Sequence, residues 1–536
     1  MKLTISGLKE QESWEKAGIK LPGYDVEAAA KAAKENPRWV HFGIGNIFRI
    51  FLGGIADTLL EESEMDCGIT CVESFDYDVV DKIYDPYDNL VLSVILNSDG
   101  TQEKRVLGSL SEALKAQSCD GAAWERLKEI FSSESLQMVS FTITEKGYAL
   151  KKADGTFFGF IEKDIEEGPE KATSAMAIVT AMLFERYRKN KAPLALVSMD
   201  NCSQNGKLLS ESVLTMAREW EKNGFVDEGF VSYVSDKAKI SFPWTMIDKI
   251  TPRPSEKIAD ALEASGVEDM QPVITSKRTY IAPFVNAEGP QYLVIEDDFP
   301  NGRPALEKAG VYMTDRDTVN KSERMKVTVC LNPIHTALGP YGCVLGYDLF
   351  SDEMKDADML KLGNLVGYGE GMEVVPDPVI LSPKKFLDEL MQDRFPNPYL
   401  GDTCLRLCTD SSQGLGVRFG VTVKAYVEKY GDAKKLIGIP LAIAGWLRYL
   451  LGVDDKGGTY ELAPDPMAKE MQERLADIVI GDPSSLTDQL KWILSNENVF
   501  FINLYEAGIG ELIEDIFREE IKGPGAVRAT VQKYLG

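Results

Sequence analysis

The chain predicts an α/β domain followed by a mainly α-helical one, and three observations carry this expectation. In the first half, short apolar runs alternate with longer stretches of helical periodicity. One of those runs enters a glycine turn that opens onto a helix. From residue 323 onward the strand pattern stops and only helical periodicity continues. At 536 residues the chain is also too long for one core, since single cores stop growing near ~250–300 residues.

The elements follow in order. Trp39–Phe42 is a short apolar strand entering Gly43-Ile44-Gly45-Asn46-Ile47-Phe48-Arg49, and an amphipathic helix follows over 47–60. A second strand, 69–72, ends at Glu73. Strands at 90–96, 138–144 and 194–199 alternate with helices at 172–188 and 207–223, the pattern of a parallel sheet with helical crossovers. Tyr292–Glu296 is the last strand read in this half. Helices are then expected at 323–338, 354–362, 383–392, 419–430, 439–451, 466–477, 486–495 and 511–522. The domains are accordingly drawn at 1–305 and 306–536. No Pro/Ser-rich linker separates them, so they are expected to pack closely and to form a cleft that holds the site.

Composition limits the function classes. The net charge of −25, from 84 acidic and 59 basic residues, argues against a nucleic-acid partner, which needs a basic face to release counterions. No apolar run reaches the ~18–20 residues of a membrane span, and the N-terminus has no apolar leader. A cytoplasmic protein with no membrane partner is expected. The eight cysteines form no CxxC pair and read as reduced core residues. With only His41 and His335 beside them, they offer little to a Cys/His zinc site, and no metal is expected.

Two segments carry chemistry. In the glycine turn, Gly43 permits the tight bend and Gly45 lets the backbone approach a pyrophosphate. The helix N-terminus at Asn46 and Ile47 presents N–H groups and a positive dipole end. Phe48 stands where a third glycine would complete GxGxxG. Glu73 ends the second strand, where a carboxylate accepts from ribose hydroxyls and repels a 2′-phosphate, which favours NAD over NADP; Asp76 is a nearby substitute. The second segment, MKVTVCLNPIHTAL, sets Lys326, Asn332 and His335 within ten residues, a possible base beside an amide and a rare imidazole.

Seven segments in order are similar to the polyol-specific long-chain dehydrogenases, the mannitol dehydrogenase family, which also contains fructuronate and tagaturonate reductases. They are HFGIGNIFR from His41, SFTITEKGY from Ser140, SMDNCSQNG from Ser198, FPWTMIDKITP from Phe242, VIEDDFPNGRP from Val294, LNPIHTAL from Leu331, and RFPNPYLGDTCLRLCTDSSQG from Arg394. The resemblance implies a Rossmann-type domain, a helical second domain, no metal, and hydride transfer between NAD and a ketose or its polyol. It assigns Asn201 and Asn332 to the alkoxide, His335 to substrate oxygen, and Thr144 and Asp248 to the cofactor side. The family lysine stands five residues before the asparagine, whereas Lys326 stands six before Asn332, so a bulge must re-aim it if it is the base.

Polyol-oxidising members of the family carry a lysine where this chain has Gly414. Arg406 and Arg418 are the candidate partners for a substrate carboxylate. The resemblance thus favours interconversion of D-fructuronate and D-mannonate, with tagaturonate reduction and mannitol 2-dehydrogenation as alternatives. A non-catalytic NAD-binding sensor is the alternative of another class. The expected partner is a small sugar acid or polyol, bound by a monomer or small homo-oligomer.

Overall fold

A computed structural model describes residues 1–119 and 121–536. The chain forms two compact units, Met1–Asn320 and Lys321–Gly536. In the first, a six-stranded sheet is built from β1 (Trp39–Phe42), β2 (Ile69–Glu73), β3 (Leu110–Lys115), β4 (Met138–Phe141), β5 (Leu194–Ser198) and β6 (Ile240–Ser241). Every pairing is parallel, and the strands lie in the order β3-β2-β1-β4-β5-β6. This is the doubly wound order of a Rossmann-type domain, with its switch point between β1 and β4.

β1, β2, β4 and β5 are buried along their whole length, as strands covered by helices on both faces must be. Alternate residues feed two cores: Val40 and Phe42 face one with Trp124, Phe131 and Trp220, while Trp39 faces another with Phe48, Phe51 and Leu59. Val91–Leu96, read from the sequence as a strand of the parallel sheet, lies elsewhere. It joins Ile19–Lys20, Gln102–Leu107 and Phe284–Glu288 in a separate four-stranded sheet, antiparallel to Gln102–Leu107. The edge position of the main sheet belongs to β3, whose half-exposed residues include Glu112 and Lys115. A charged edge strand gives no continuous apolar run, so the periodicity passes over it. A third sheet joins Thr245–Asp248, Tyr292–Glu296 and Tyr312–Thr314, which ties the chain up to Thr314 to the first unit.

The second unit is helical. Helix Gly438–Tyr449 is buried at every position, and helices Asn332–Leu345 and Gly510–Glu520 pack on it. π turns interrupt its helices at Lys326–Cys330, Leu365–Gly371, Leu390–Arg394 and Gly416–Gly420. The first of these packs against the second and the fourth. Among the described residues, no helix is long and apolar enough to cross a membrane.

Candidate active site

The turn after β1 is held by a chain of hydrogen bonds that starts at Trp39. Its Nε1 donates to Ser140 Oγ at 2.7 Å, and Ser140 Oγ lies 2.6 Å from His41 Nδ1. His41 Nε2 lies 2.9 Å from Thr142 Oγ1, which donates to the Gly43 carbonyl at 2.7 Å. Because the Thr142 proton is spent on Gly43, the imidazole must donate from Nε2 and accept at Nδ1. Burial pulls the His41 pKa down to about 3, so the ring stays neutral. The ring also stacks on Phe48 at 4.0 Å between centroids. The third fingerprint glycine ordinarily allows close helix–strand packing; here a ring stack performs that joining.

Gly43 has φ +88, and a Cβ on it would lie 2.2 Å from the Thr142 carbonyl oxygen, so only glycine fits. Gly45 is the reverse case: a Cβ there would meet no heavy atom within 4 Å. The Arg49 N–H bonds the Gly45 carbonyl at 3.1 Å, which leaves the N–H groups of Asn46 and Ile47 in the first turn without a helical partner. Arg49, buried, ties this helix to the Ala282 and Pro283 carbonyls at 2.8 and 2.9 Å.

At the end of β2, Glu73 Oε1 accepts from the N–H groups of Ser74, Phe75 and Asp76 at 3.0, 2.9 and 3.2 Å. The Ile44 N–H of the glycine turn also reaches this carboxylate. Burial raises the carboxyl pKa. Asp76, the substitute, takes the Thr275 hydroxyl on Oδ2 at 2.6 Å, while its buried Oδ1 has no partner among the described residues. The free space over Gly45, the helix N-terminus and the Glu73 carboxyl all stand at the carboxyl end of the sheet. Together they fit the pyrophosphate and ribose of a dinucleotide.

The loops after β4 and β5 are bound by a residue the sequence reading passed over. Asp200 accepts from the Ile143 and Thr144 N–H groups at 3.0 and 2.9 Å and from the Tyr148 hydroxyl at 2.6 Å. It fixes Thr144 at φ +64, the exposed first residue of the short helix Thr144–Tyr148. Asn201, next in sequence, is exposed. Asn205 anchors the same loop, donating to Asp200 O and Thr245 O at 3.0 and 3.1 Å. Asp248 ends its strand buried, paired in register with Tyr292, and the following Lys249 donates to Glu288 O at 2.8 Å.

In the second unit, Lys326 is buried and opens the π turn Lys326–Cys330, in which the Leu331 N–H bonds the Lys326 carbonyl at 2.9 Å. Pro333 has no N–H for the Val329 carbonyl, which weakens an α-helical path just here. A π turn takes up one additional residue without rotating what lies beyond it, so six residues from Lys326 to Asn332 cover the angle that five cover at ~100° each. His335 follows one turn later. Its ring packs against Phe350 and Phe395, at 5.0 and 4.8 Å between centroids, and makes no hydrogen bond among the described residues. Burial, then the charges of Arg394, Arg418 and Arg406, lower its pKa to about 3.

Arg394 was not singled out by the sequence, although it opens the RFPNP segment; it is buried at the end of the π turn Leu390–Arg394. Arg406 is exposed and pairs with Asp402. Arg418 donates from Nη1 to Thr336 Oγ1 at 2.8 Å, and burial lowers its pKa.

Two family models match this architecture: the mannitol dehydrogenase Rossmann domain over residues 37–308 and the mannitol dehydrogenase C-terminal domain over 318–512. The chain belongs to the mannitol dehydrogenase family. It is an oxidoreductase acting on a CH–OH group. Among its relatives is the D-mannonate oxidoreductase of Thermotoga maritima, 49% identical over 100% of this chain and 99% of that one. The polyol:NADP oxidoreductase of Gluconobacter oxydans is 30% identical over 86% and 88%. Of solved mannitol dehydrogenase relatives, the Pseudomonas fluorescens mannitol 2-dehydrogenase complex with NAD and D-mannitol aligns at TM-score 0.70 and 25% identity, covering 99% of each chain. A substrate-free D-sorbitol dehydrogenase shares the fold at TM-score 0.77 and 24% identity, over 96% and 98%.

Proposed function

We propose that this protein interconverts D-fructuronate and D-mannonate with NAD(H), Lys326 serving as general acid and base. The observation that carries the reading is Arg418 hydrogen-bonded to Thr336 beside His335, whose imidazole also feels the charges of Arg394 and Arg406, in a chain of net charge −25. A hexuronate differs from a ketose by its carboxylate, and guanidinium groups bind carboxylates through paired N–H donors. The full-length similarity to a D-mannonate oxidoreductase supports the same substrate, and the NAD of the mannitol 2-dehydrogenase complex supports the cofactor. Gly43, Gly45, Asn46, Ile47, Glu73, Thr144 and Asp248 are the residues proposed to hold it.

Bound NADH supplies a hydride to the carbonyl carbon. In reduction the Lys326 ammonium gives its proton to the carbonyl oxygen; in oxidation the neutral amine takes the hydroxyl proton back. The Asn332 amide donates to the oxygen as charge develops, a contribution of about 3 kcal/mol for a well-placed donor. The resemblance gives Asn201 the same duty. His335, neutral and packed against two phenylalanine rings, orients a substrate hydroxyl.

The test is NADH oxidation, followed by absorbance, with D-fructuronate, D-tagaturonate and D-fructose side by side. D-fructuronate should be turned over fastest, and Lys326→Ala should lower kcat about 1,000-fold, within the range of a general acid–base group. Preference for fructose would remove the hexuronate reading, and full activity in the variant would remove the lysine. NADH binding without turnover of any of the three would favour a sensor.

A further inference from the structure

Position 414 and position 418 compete for one volume. A Cβ on Gly414 would lie 2.8 Å from Cζ and Nε of Arg418 and 3.0 Å from its Nη1. The guanidinium therefore lies over the bare Gly414 backbone and occupies the space that any side chain there would need. The two residues are one helical step apart, i and i+4, across the start of the π turn Gly416–Gly420. A side chain at 414 and the guanidinium in its present place exclude each other.

The charge so placed is compensated within the protein only at a distance, by the carboxylate of Asp410. Among the described residues, the hydrogen bond to Thr336 Oγ1 is the partner found for Arg418, and no carboxylate lies within ion-pair distance. The fully buried Arg186 is satisfied differently, ringed by the carbonyls of Phe131, Ser133, Leu136, Ala192 and Pro193. A half-buried guanidinium with most of its N–H groups free of protein partners is placed to take an anion. Thr336, its one partner, adjoins His335, the residue proposed to orient substrate.

We infer that Gly414 and Arg418 form a specificity pair: the absence of a side chain at 414 admits the Arg418 guanidinium, which receives the substrate's carboxylate. This rests on the hexuronate reading above. The guanidinium offers a planar pair of N–H donors matched to a carboxylate and lies apart in sequence from the proposed proton-transfer residues.

Steady-state kinetics on the full-length enzyme test this. Arg418→Gln should raise KM for D-fructuronate far more than it lowers kcat, and the ratio of kcat/KM for D-fructuronate over D-fructose should fall about 100-fold, the usual result of removing one partner of a buried charge pair. Gly414→Lys, which displaces the guanidinium, should lower the same ratio. NADH affinity, read by fluorescence titration, reports whether each variant is folded. If either variant is insoluble, inhibition of the unaltered enzyme decides: D-gluconate should compete with substrate at concentrations where D-glucitol does not. Folded variants that keep the wild-type ratio, or equal inhibition by the two polyhydroxy compounds, would overturn the pair while leaving D-fructuronate turnover intact. An unaltered enzyme that prefers D-fructose overturns the pair and the hexuronate reading together.

Discussion

Glu520, at the end of helix Gly510–Glu520, has no exposed surface, and its Oε1 accepts from the Tyr341 hydroxyl at 2.6 Å. Its Oε2 and the buried Arg448 Nε have no partner among the described residues. Burial pushes the carboxyl from 4.5 up to about 8, against the lesser opposing pulls of Tyr341 and Arg448. Between those values the folded chain keeps a proton that the unfolded chain has released. The stability this site contributes is thus whole below pH 4.5 and falls as pH rises toward 8, by an amount on the order of a few kcal/mol. Glu520→Gln should therefore gain Tm relative to wild type between pH 5 and pH 8; a difference independent of pH would refute this. Residues of this kind are illegible in a sequence, because their behaviour depends on what the fold brings against them. His335 stood out in the sequence because the chain has only two histidines, and the glycine turn because two glycines follow a strand and open a helix. Arg394, Asp200 and Asn205 were not, since an arginine, aspartate or asparagine in a motif looks the same whether it faces substrate or braces a loop.

At the scale of elements, the π turn Lys326–Cys330 depends on its neighbours. Thr422 Oγ1, buried, donates to the Thr328 carbonyl at 3.3 Å, and Pro333 has no N–H with which to take the i+5 place. Thr422→Val keeps the shape and removes the donor, leaving a buried carbonyl unpaired at a cost of ~1–3 kcal/mol. It should also lower kcat, since the turn that carries Lys326 loses its brace, with NADH affinity unchanged. Loss of stability with an unaltered kcat would mean that the turn holds itself. The parallel strands β1, β2, β4 and β5 were legible as continuous apolar runs. The edge strand β3 was not, and the hairpin strand Val91–Leu96 was legible as a strand but not as to its sheet, because strand pairing is settled by partners distant in sequence.

Over the whole molecule, the change from alternating strands to helices alone gave the two-part organisation directly, because side-chain period is a local property. Charge gives a further prediction at this scale. NADH and the proposed hexuronate substrate are anions approaching a chain of net charge −25. At ~0.01 M salt the Debye length is ~30 Å and that repulsion acts on the encounter; at ~0.15 M it shrinks to ~8 Å. Stopped-flow association of NADH should therefore quicken as salt is raised over this range. A rate that drops would show that a local positive field at the site outweighs the global charge.

The π turn between Lys326 and Asn332 has one more consequence, in the language of insertions and deletions. A length difference inside a helix ordinarily rotates everything on one side of it and is purged; here the surplus residue is stored as a local widening, leaving the outlook of both flanks unchanged. The helix is therefore open at one place to gaining or losing a single residue. A one-residue gap there, when this chain is aligned with a relative, would be absorbed by the π turn Lys326–Cys330 without re-aiming either flank.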